Sequence, residues 1–163
     1  MTRSLGSELS SDVVIRLSQT DLARYRERVL PLVTVDAGGF PHPMLLSSVE
    51  VRAMDPKTIR IVIGARSRSA RNLLEREVAT LLIVEPERTV YVKVRTIGGP
   101  DQVSGVPEAG LFHLTVEDVI EDMQAEWEGG MKMVGGMTYA PVPSLDDPRV
   151  KATVNALAGS MNT

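Results

Sequence analysis

Short runs of apolar and β-branched residues recur along most of the chain at intervals that are typical of β-strands. Six such runs cover residues 32–35, 44–51, 59–63, 78–84, 90–96 and 111–116. Turn-forming sequences separate several of them: residues 36–39 contain two glycines, residues 55–57 contain Asp-Pro and residues 85–87 contain Glu-Pro. Strands of this length and spacing predict an antiparallel barrel.

Other segments have the apolar spacing or the terminal residues of helices. A first helix would follow a cap at Ser18 or Thr20 and end before Pro31, and a second would cover residues 70–76. A third is predicted for residues 117–127 from apolar residues three and four positions apart: Val116, Val119, Ile120, Met123 and Trp127. A last helix would begin at the sequence Asp-Asp-Pro of residues 146–148 and continue to Met161.

The chain is expected to form one domain. Residues 1 to 11 are rich in serine, glycine and polar side chains, and we expect a disordered tail there. Residues 12–163 would then form a single domain, whose length suits one hydrophobic core. Because aromatic residues are only 4% of the chain, that core is predicted to be aliphatic.

Charge and composition exclude several classes of function. The chain has 18 Lys and Arg against 21 Asp and Glu, and this acidic balance predicts no nucleic-acid partner, since polyanion binding needs clustered basic residues. No apolar stretch approaches the roughly 18 residues of a membrane span, so we expect no membrane association. The lack of cysteine and of a signal-peptide pattern favours a cytoplasmic protein.

The sequence contains no familiar catalytic motif of side chains. Neither His42 nor His113 has a second ligand at metal-binding spacing, so they are interpreted as a turn residue and a strand residue. Nucleophile elbow, Walker loop and dinucleotide fingerprint are all missing. The acidic residues between Val116 and Trp127 are explained by the solvated face of the predicted helix. Trp127 itself is expected in the core, and is a secondary candidate for cofactor contact.

Residues 64–73 have the composition of an anion-binding loop. They stand between a predicted strand and a predicted helix, whose first-turn amides have no partner within the helix and suit a phosphate group. Forked guanidinium donors and hydroxyl groups come from Arg66, Ser67, Arg68, Ser69 and Arg71. A solvated arginine- and serine-rich loop, with Ser69 as a helix cap, explains the same residues equally well.

The order of these motifs resembles the FMN-binding split β-barrel family, the pyridoxamine 5′-phosphate oxidase-like superfamily. Members have an aspartate-glycine turn followed by Pro-His, then a loop of the Ser-x-Lys-x-x-Asn-Leu type and a strand of the Val-x-Leu kind. In this chain residues 36–43, 67–73 and 78–82 occupy those places. The likeness covers residues 25–96 and, more loosely, residues 112–122. It implies a mainly β fold with flanking helices, a six-stranded antiparallel split β-barrel.

The resemblance also implies a homodimer that binds FMN at its interface and acts on a small-molecule substrate. By this likeness the cofactor phosphate would lie on Arg66, Ser67, Arg68, Ser69, Arg71 and Asn72. The flavin ring would lie beside Leu46, Ser47 and Ser48. Such a protein would be a flavin-dependent oxidoreductase, and the sequence names no substrate for it.

Two positions depart from the family pattern. Ser69 stands where the family has lysine, so the phosphate would be held by the neighbouring arginines. No histidine follows His113, so the C-terminal Arg-x-His pair of pyridoxamine phosphate oxidases has no counterpart, and we expect no role in vitamin B6 synthesis. Two alternatives stay open: a deazaflavin-dependent reductase of the same fold, and a non-enzymatic split-barrel dimer that has lost the flavin.

Overall fold

The computed structural model describes residues 2–86, 88–131 and 133–159. Within them the chain forms eight strands: β1 (Thr2–Gly6), β2 (Val29–Val35), β3 (Pro41–Ser47), β4 (Val51–Ala53), β5 (Thr58–Gly64), β6 (Val78–Glu85), β7 (Arg88–Gln102) and β8 (Ala109–Met123). It also forms four helices: α1 (Ser11–Leu17), α2 (Leu22–Tyr25), α3 (Arg68–Arg76) and α4 (Pro148–Ala158). Short 3-10 turns lie at Ser48–Glu50 and Glu126–Glu128.

The strands form one curled antiparallel sheet. Its order is β3-β2-β6-β7-β8-β5-β4, and β1 pairs with β8 beside this path. The two ends of the path, β3 and β4, follow each other in the chain and are joined by the 3-10 turn Ser48–Glu50. The sheet is therefore a split β-barrel, as the resemblance implied, with eight strands in the described residues where six were predicted.

Two apolar clusters hold this sheet and its helices together. The larger one fills the inside of the curled sheet with aliphatic side chains around a single buried aromatic residue, Phe112. The smaller one lies between α4 and the outer face of β5 and β8, and it contains Val62, Leu111 and Leu157. The C-terminal helix thus covers the outer face of the barrel. None of the helices in the described ranges is long and apolar enough to cross a bilayer.

Several local predictions are confirmed. The glycine turn at residues 36–39 joins β2 and β3 as a hairpin, and Asp36 Oδ1 accepts hydrogen bonds from the amides of Gly38 and Phe40 at 2.8 and 2.9 Å. The strands predicted at 59–63 and 78–84 match β5 and β6, and the helix predicted at 70–76 matches α3. The last helix begins at Pro148 behind Asp147, as its sequence indicated, whereas Met161 lies outside the described residues.

The start of the chain differs from the expected tail. Residues 2–6 form β1, which pairs with β8, and Arg3 forms an ion pair with Glu121 at 2.7 Å. Leu9 is buried in the main core. All five residues of β1 are exposed, so the strand has no apolar alternation that a sequence pattern could detect.

The predicted first helix is only partly present, because α2 covers Leu22–Tyr25 and follows Asp21 rather than Ser18 or Thr20. Residues 18 and 20 follow α1 rather than begin a helix, and the chain enters β2 at Val29. Gln19 has a left-handed backbone with φ 64°, and its side-chain amide donates to the carbonyls of Ser48, Val49 and Val51 at 3.1 to 3.2 Å. This long-range contact follows the end of α1, and it has no local sequence signal.

The helix predicted for residues 117–127 is wrong, because β8 continues as a strand through most of that segment. Lys93 and Val94, which are adjacent in β7, pair with Asp118 and Val116 of β8. The residue between these two, Glu117, is skipped in the register and forms a β-bulge. The bulge moves the buried face from Val116 to Val119, a step of three in place of two. That step imitates helical spacing and explains why the pattern was misleading.

The second predicted strand, residues 44–51, is likewise interrupted. β3 begins earlier, at Pro41, and ends at Ser47, after which the 3-10 turn Ser48–Glu50 leads into β4. At the break, the Ser47 amide donates a hydrogen bond to the Glu50 side chain. The resulting corner is part of the candidate site.

Candidate functional site

The loop between β5 and α3 has the local geometry of an anion site. Ser67 is the N-cap of α3, because its hydroxyl oxygen accepts a hydrogen bond from the amide of Ala70 at 3.1 Å. Ser67, not Ser69, is therefore the cap. The amide of Ala65 donates to the carbonyl of Glu108 at 2.9 Å, which ties the loop to the chain before β8. The positive end of the nine-residue helix dipole lies at this loop.

Three arginines of this loop carry unneutralised charge. Arg66, Arg68 and Arg71 are exposed, and none of their guanidinium groups has a hydrogen bond or ion pair with any described residue. Each guanidinium group offers five donors in a planar fork. The three side chains are therefore available to a negatively charged ligand at the helix N-terminus.

The other two residues predicted for this loop point inward. Ser69 and Asn72 are both buried. The Asn72 side-chain amide donates to Thr34 Oγ1 at 2.9 Å, and the Thr34 hydroxyl donates to the carbonyl of His42 at 3.2 Å. Asn72 thus fixes α3 on the β2–β3 hairpin, and the phosphate contact expected of it remains a prediction.

The residues predicted beside a flavin ring lie at the end of β3 and are buried. They are Leu46, Ser47 and Ser48. The amide and hydroxyl of Ser47 both donate to Glu50 Oε2, at 2.7 and 3.0 Å. The hydroxyl of Ser48 donates to the carbonyl of Arg28 at 3.2 Å. The donors that a flavin ring would need at these two serines are therefore engaged within the chain.

Glu50 is a site residue that sequence reasoning missed. Burial raises the pKa of its carboxyl above the ordinary value, although the two hydrogen bonds from Ser47 act in the opposite direction. The sequence did contain a signal, since a serine followed three positions later by glutamate is the pattern of a capping box. That signal was lost because the segment also fits a continuous strand.

A cleft of about 400 Å³ contains Ser47, one of the predicted ring contacts, but none of the residues predicted to hold the phosphate. Its wall also contains Glu50 from the corner after β3 and Gly64, the last residue of β5, which directly precedes the arginine loop. Helix α4 forms the opposite side through Arg149, Val150 and Thr153. The volume falls within the range of about 300–1,000 Å³ that is typical of small-molecule sites.

Trp127 lies elsewhere. Its side chain is 84% exposed in the 3-10 turn after β8, so the expectation that it packs in the core is wrong. It lines a separate surface cleft of about 820 Å³ together with Arg88, Met123, Met131 and Met133. Within one protomer the structure does not bring Trp127 to the arginine loop.

His113, interpreted from sequence as a plain strand residue, has a specific partner. Its Nε2 lies 2.7 Å from Asp101 Oδ2. The pair was missed because β7 was predicted to end at residue 96 and extends to Gln102. Among the described residues no cluster of His, Asp and Glu has the arrangement of a metal site.

Among known proteins, this chain is similar only to solved structures. No family model and no curated protein matches the sequence. The chain is similar to a candidate pyridoxamine 5′-phosphate oxidase of Lactobacillus delbrueckii, with a TM-score of 0.56 and 18% identity over 72% of this chain and 98% of that one.

Two further solved structures have the same architecture. HupZ of Group A Streptococcus has a TM-score of 0.53 and 14% identity over 81% of this chain and 100% of that one. An FMN-binding protein of Syntrophomonas wolfei has a TM-score of 0.51 and 12% identity over 71% of this chain and 89% of that one. At such identities the likeness establishes the fold. The chain therefore has the split β-barrel fold of the pyridoxamine 5′-phosphate oxidase-like proteins.

Proposed function

We propose that this protein is an FMN-binding flavoprotein, an oxidoreductase that acts on a small-molecule substrate. The observation that carries the proposal is the set of three unpaired arginines at the capped N-terminus of α3, on the loop that directly follows Gly64, a residue of the cleft wall. The structural likeness to an FMN-binding protein supports it as an analogy of fold.

The arginine loop fits a phosphate monoester. A phosphate dianion at a helix N-terminus gains from the helix dipole, from free first-turn amides and from charge-assisted hydrogen bonds. Arg66, Arg68 and Arg71 would hold it, and the Ser67 hydroxyl can still donate its proton while its oxygen caps the helix. This set of donors replaces the lysine that the family places at position 69.

The cleft beside the loop would hold the ring. Val49, Val62 and Val106 supply apolar walls, and the half-buried Glu50 carboxyl supplies one polar group. The bound flavin would contribute two-electron transfer, a chemistry that needs no catalytic side chain of its own. The chain would orient the cofactor and exclude water, since α4 closes the outer side of the cleft.

A second copy of the chain would complete the site. Several large apolar side chains are exposed between the end of β8 and residue 137, namely Met123, Trp127, Met131, Met133, Val134 and Met137. Covering such a surface in a homodimer is favourable, and it would allow Trp127 to reach the partner's flavin. The substrate would then enter between the two protomers.

One observation favours a second candidate, a non-enzymatic dimer without flavin. The polar groups of Ser47 and Ser48 are engaged within the chain, and Ser69 is buried where the family has a lysine. A deazaflavin cofactor would use the same basic loop and is a variant of the first candidate.

The nature of the cofactor can be tested on the purified protein. We expect the visible spectrum of an oxidised flavin, and FMN as the mass of the compound released on denaturation. Release of a deazaflavin would support the reductase variant. A colourless protein that stays colourless after incubation with either compound would reject both flavin proposals and favour the non-enzymatic dimer.

A further inference from the structure

A second and larger groove lies on the other side of α4 from the candidate cofactor cleft. It measures about 1350 Å³ and runs between α4 and the β7–β8 hairpin. Helix α4 presents Lys151 and Asn155 to this groove, whereas its residues Arg149, Val150 and Thr153 line the cofactor cleft. The helix separates the two spaces, so a ligand of the groove would not contact the proposed flavin site.

The floor of this groove carries a buried arginine. Arg60 of β5 pairs directly with His113 of β8, so both side chains lie on the outer face of the sheet. Arg60 is only 3% exposed, and its Nη1 donates to the carbonyls of Leu157, at 3.0 Å, and of Gly159. These contacts cap the C-terminus of α4.

Among the described residues Arg60 has no carboxylate partner, and its charge faces the carbonyl dipoles at the C-terminus of α4. No carboxylate of the described residues lies within ion-pair distance of its guanidinium group, and its buried Nε has no hydrogen-bond partner among them. Burying a cation without a counter-ion is costly, and a bound anion would remove that cost. The guanidinium fork suits a carboxylate or a phosphate group.

His113 adds a second unsatisfied group next to Arg60. A carboxylate can only accept, so the short contact with Asp101 places a proton on Nε2 of His113. The other ring nitrogen, Nδ1, is buried and has no partner in the part of the chain that the structure describes. Arg60 and His113 are thus neighbours across two strands, and both residues line the groove.

The groove as a whole favours an acid with an apolar body. Its cations are Arg60 and Lys151, against the single carboxylate of Asp101, which is already paired with His113. Lys151 also contacts Asp146 at 3.1 Å, but that carboxylate is 96% exposed and does not line the groove. Apolar wall is supplied by Ile97, Pro100, Leu111, Ala152 and Ala156.

We propose that this groove binds a small organic anion, whose carboxylate or phosphate group is held by Arg60 and attracted by Lys151 while its apolar part lies against α4 and the β7–β8 hairpin. The site is independent of the proposed flavin function.

The test is an NMR titration of the ¹⁵N-labelled full chain with two probes, sodium benzoate and inorganic phosphate. Saturable shifts at the amides of Gly98, Gly99 and Gln102 are expected with at least one probe. Benzoate alone would identify a carboxylate ligand with an apolar body, and phosphate alone would identify the phosphate group as the recognised feature.

Lys151→Glu reverses a charge on an exposed side chain and should weaken the binding about tenfold. Lys57→Glu is the matched control, because Lys57 is similarly exposed and lies outside the groove. Arg60→Lys keeps the charge but loses the fork, and should weaken binding of the probe further than Lys151→Glu does. The proposal is overturned if neither probe shifts these amides, or if Lys151→Glu binds as tightly as the wild type.

Discussion

Arg68 occupies the first turn of α3 with its guanidinium group exposed and unpaired. A phosphate-binding loop and a merely solvated loop predict different effects of replacing this residue. Replacing it by glutamate sets a negative charge against the proposed phosphate. Losing one charged hydrogen bond costs roughly 1.5–3 kcal/mol, which corresponds to about one to two powers of ten in Kd. Arg68→Glu should therefore weaken FMN binding at least that much.

The measurement is thermal unfolding of wild type and Arg68→Glu with and without FMN, since a ligand raises the midpoint only where it binds the native state. Arg24→Glu, on exposed helix α2, is the control and should retain the full stabilisation. An FMN-dependent shift that is equal in all three proteins would place the phosphate on other residues.

Glu50 gives a pH dependence with a definite sign. Because burial raises its pKa in the folded chain, the folded state holds this proton more tightly than the unfolded state does. Its contribution to stability is therefore complete below the ordinary carboxyl pKa and is lost as the pH rises through the raised value. Glu50→Gln removes this dependence and retains an oxygen that can accept from Ser47.

Urea unfolding from about pH 4 to 8 checks this, because only the difference between wild type and Glu50→Gln isolates the one carboxyl. We expect the wild type to lose stability relative to the variant as the pH rises. A difference that is constant with pH would contradict the burial of an ionisable group at this corner.

The place of the arginine loop between a strand and a helix could be predicted from its neighbours in sequence, whereas its phosphate contacts remain a prediction. Ser67, four residues after the end of an apolar run, caps the helix that follows it, and the exposed arginines surround it. The predicted ring contacts at Ser47 and Ser48 differ, because their hydrogen bonds go to Glu50 and to the backbone of Arg28. The second of these partners lies twenty residues away, and no local pattern indicates it.

Among the elements, strands between strong turns were predictable and irregular strands were not. β5 is an almost continuously buried apolar run and β6 alternates regularly, and both were placed within one residue. β8 contains a bulge that converts strand alternation into helical spacing, and β1 is a fully exposed strand whose pairing with β8 depends on backbone hydrogen bonds. Sequence periodicity reports burial, so it misses both cases.

The N-terminal cap of α4 can be tested by mutation, and it matters because this helix closes the proposed cofactor cleft. Asp147 Oδ1 accepts from the amides of Arg149 and Val150, at 2.7 and 3.2 Å. Asp147→Ala should therefore destabilise the protein by about 1 kcal/mol in urea unfolding. Asp146→Ala is the matched control on the preceding residue, whose side chain makes only an exposed ion pair, and should change stability by less than about 0.5 kcal/mol. Equal effects would show that α4 is not anchored through its cap.

At the scale of the molecule, the split barrel leaves its exposed apolar residues after β8 without cover. We predict an isologous homodimer with an interface in the obligate class, on the order of 2,000 Å² or more in total. Light scattering should give twice the mass of the chain at micromolar concentration. A stable monomer there would contradict the dimer and the composite cofactor site with it.

The proposed function depends on flavin binding by the intact protein. Titration of FMN with the protein freed of any bound cofactor tests this most directly, with flavin fluorescence as the readout. We expect a saturable change in fluorescence with one FMN bound per protomer, and a much weaker response from Arg68→Glu. No change in flavin fluorescence at any protein concentration would contradict it, and would leave the split barrel as a scaffold for another function.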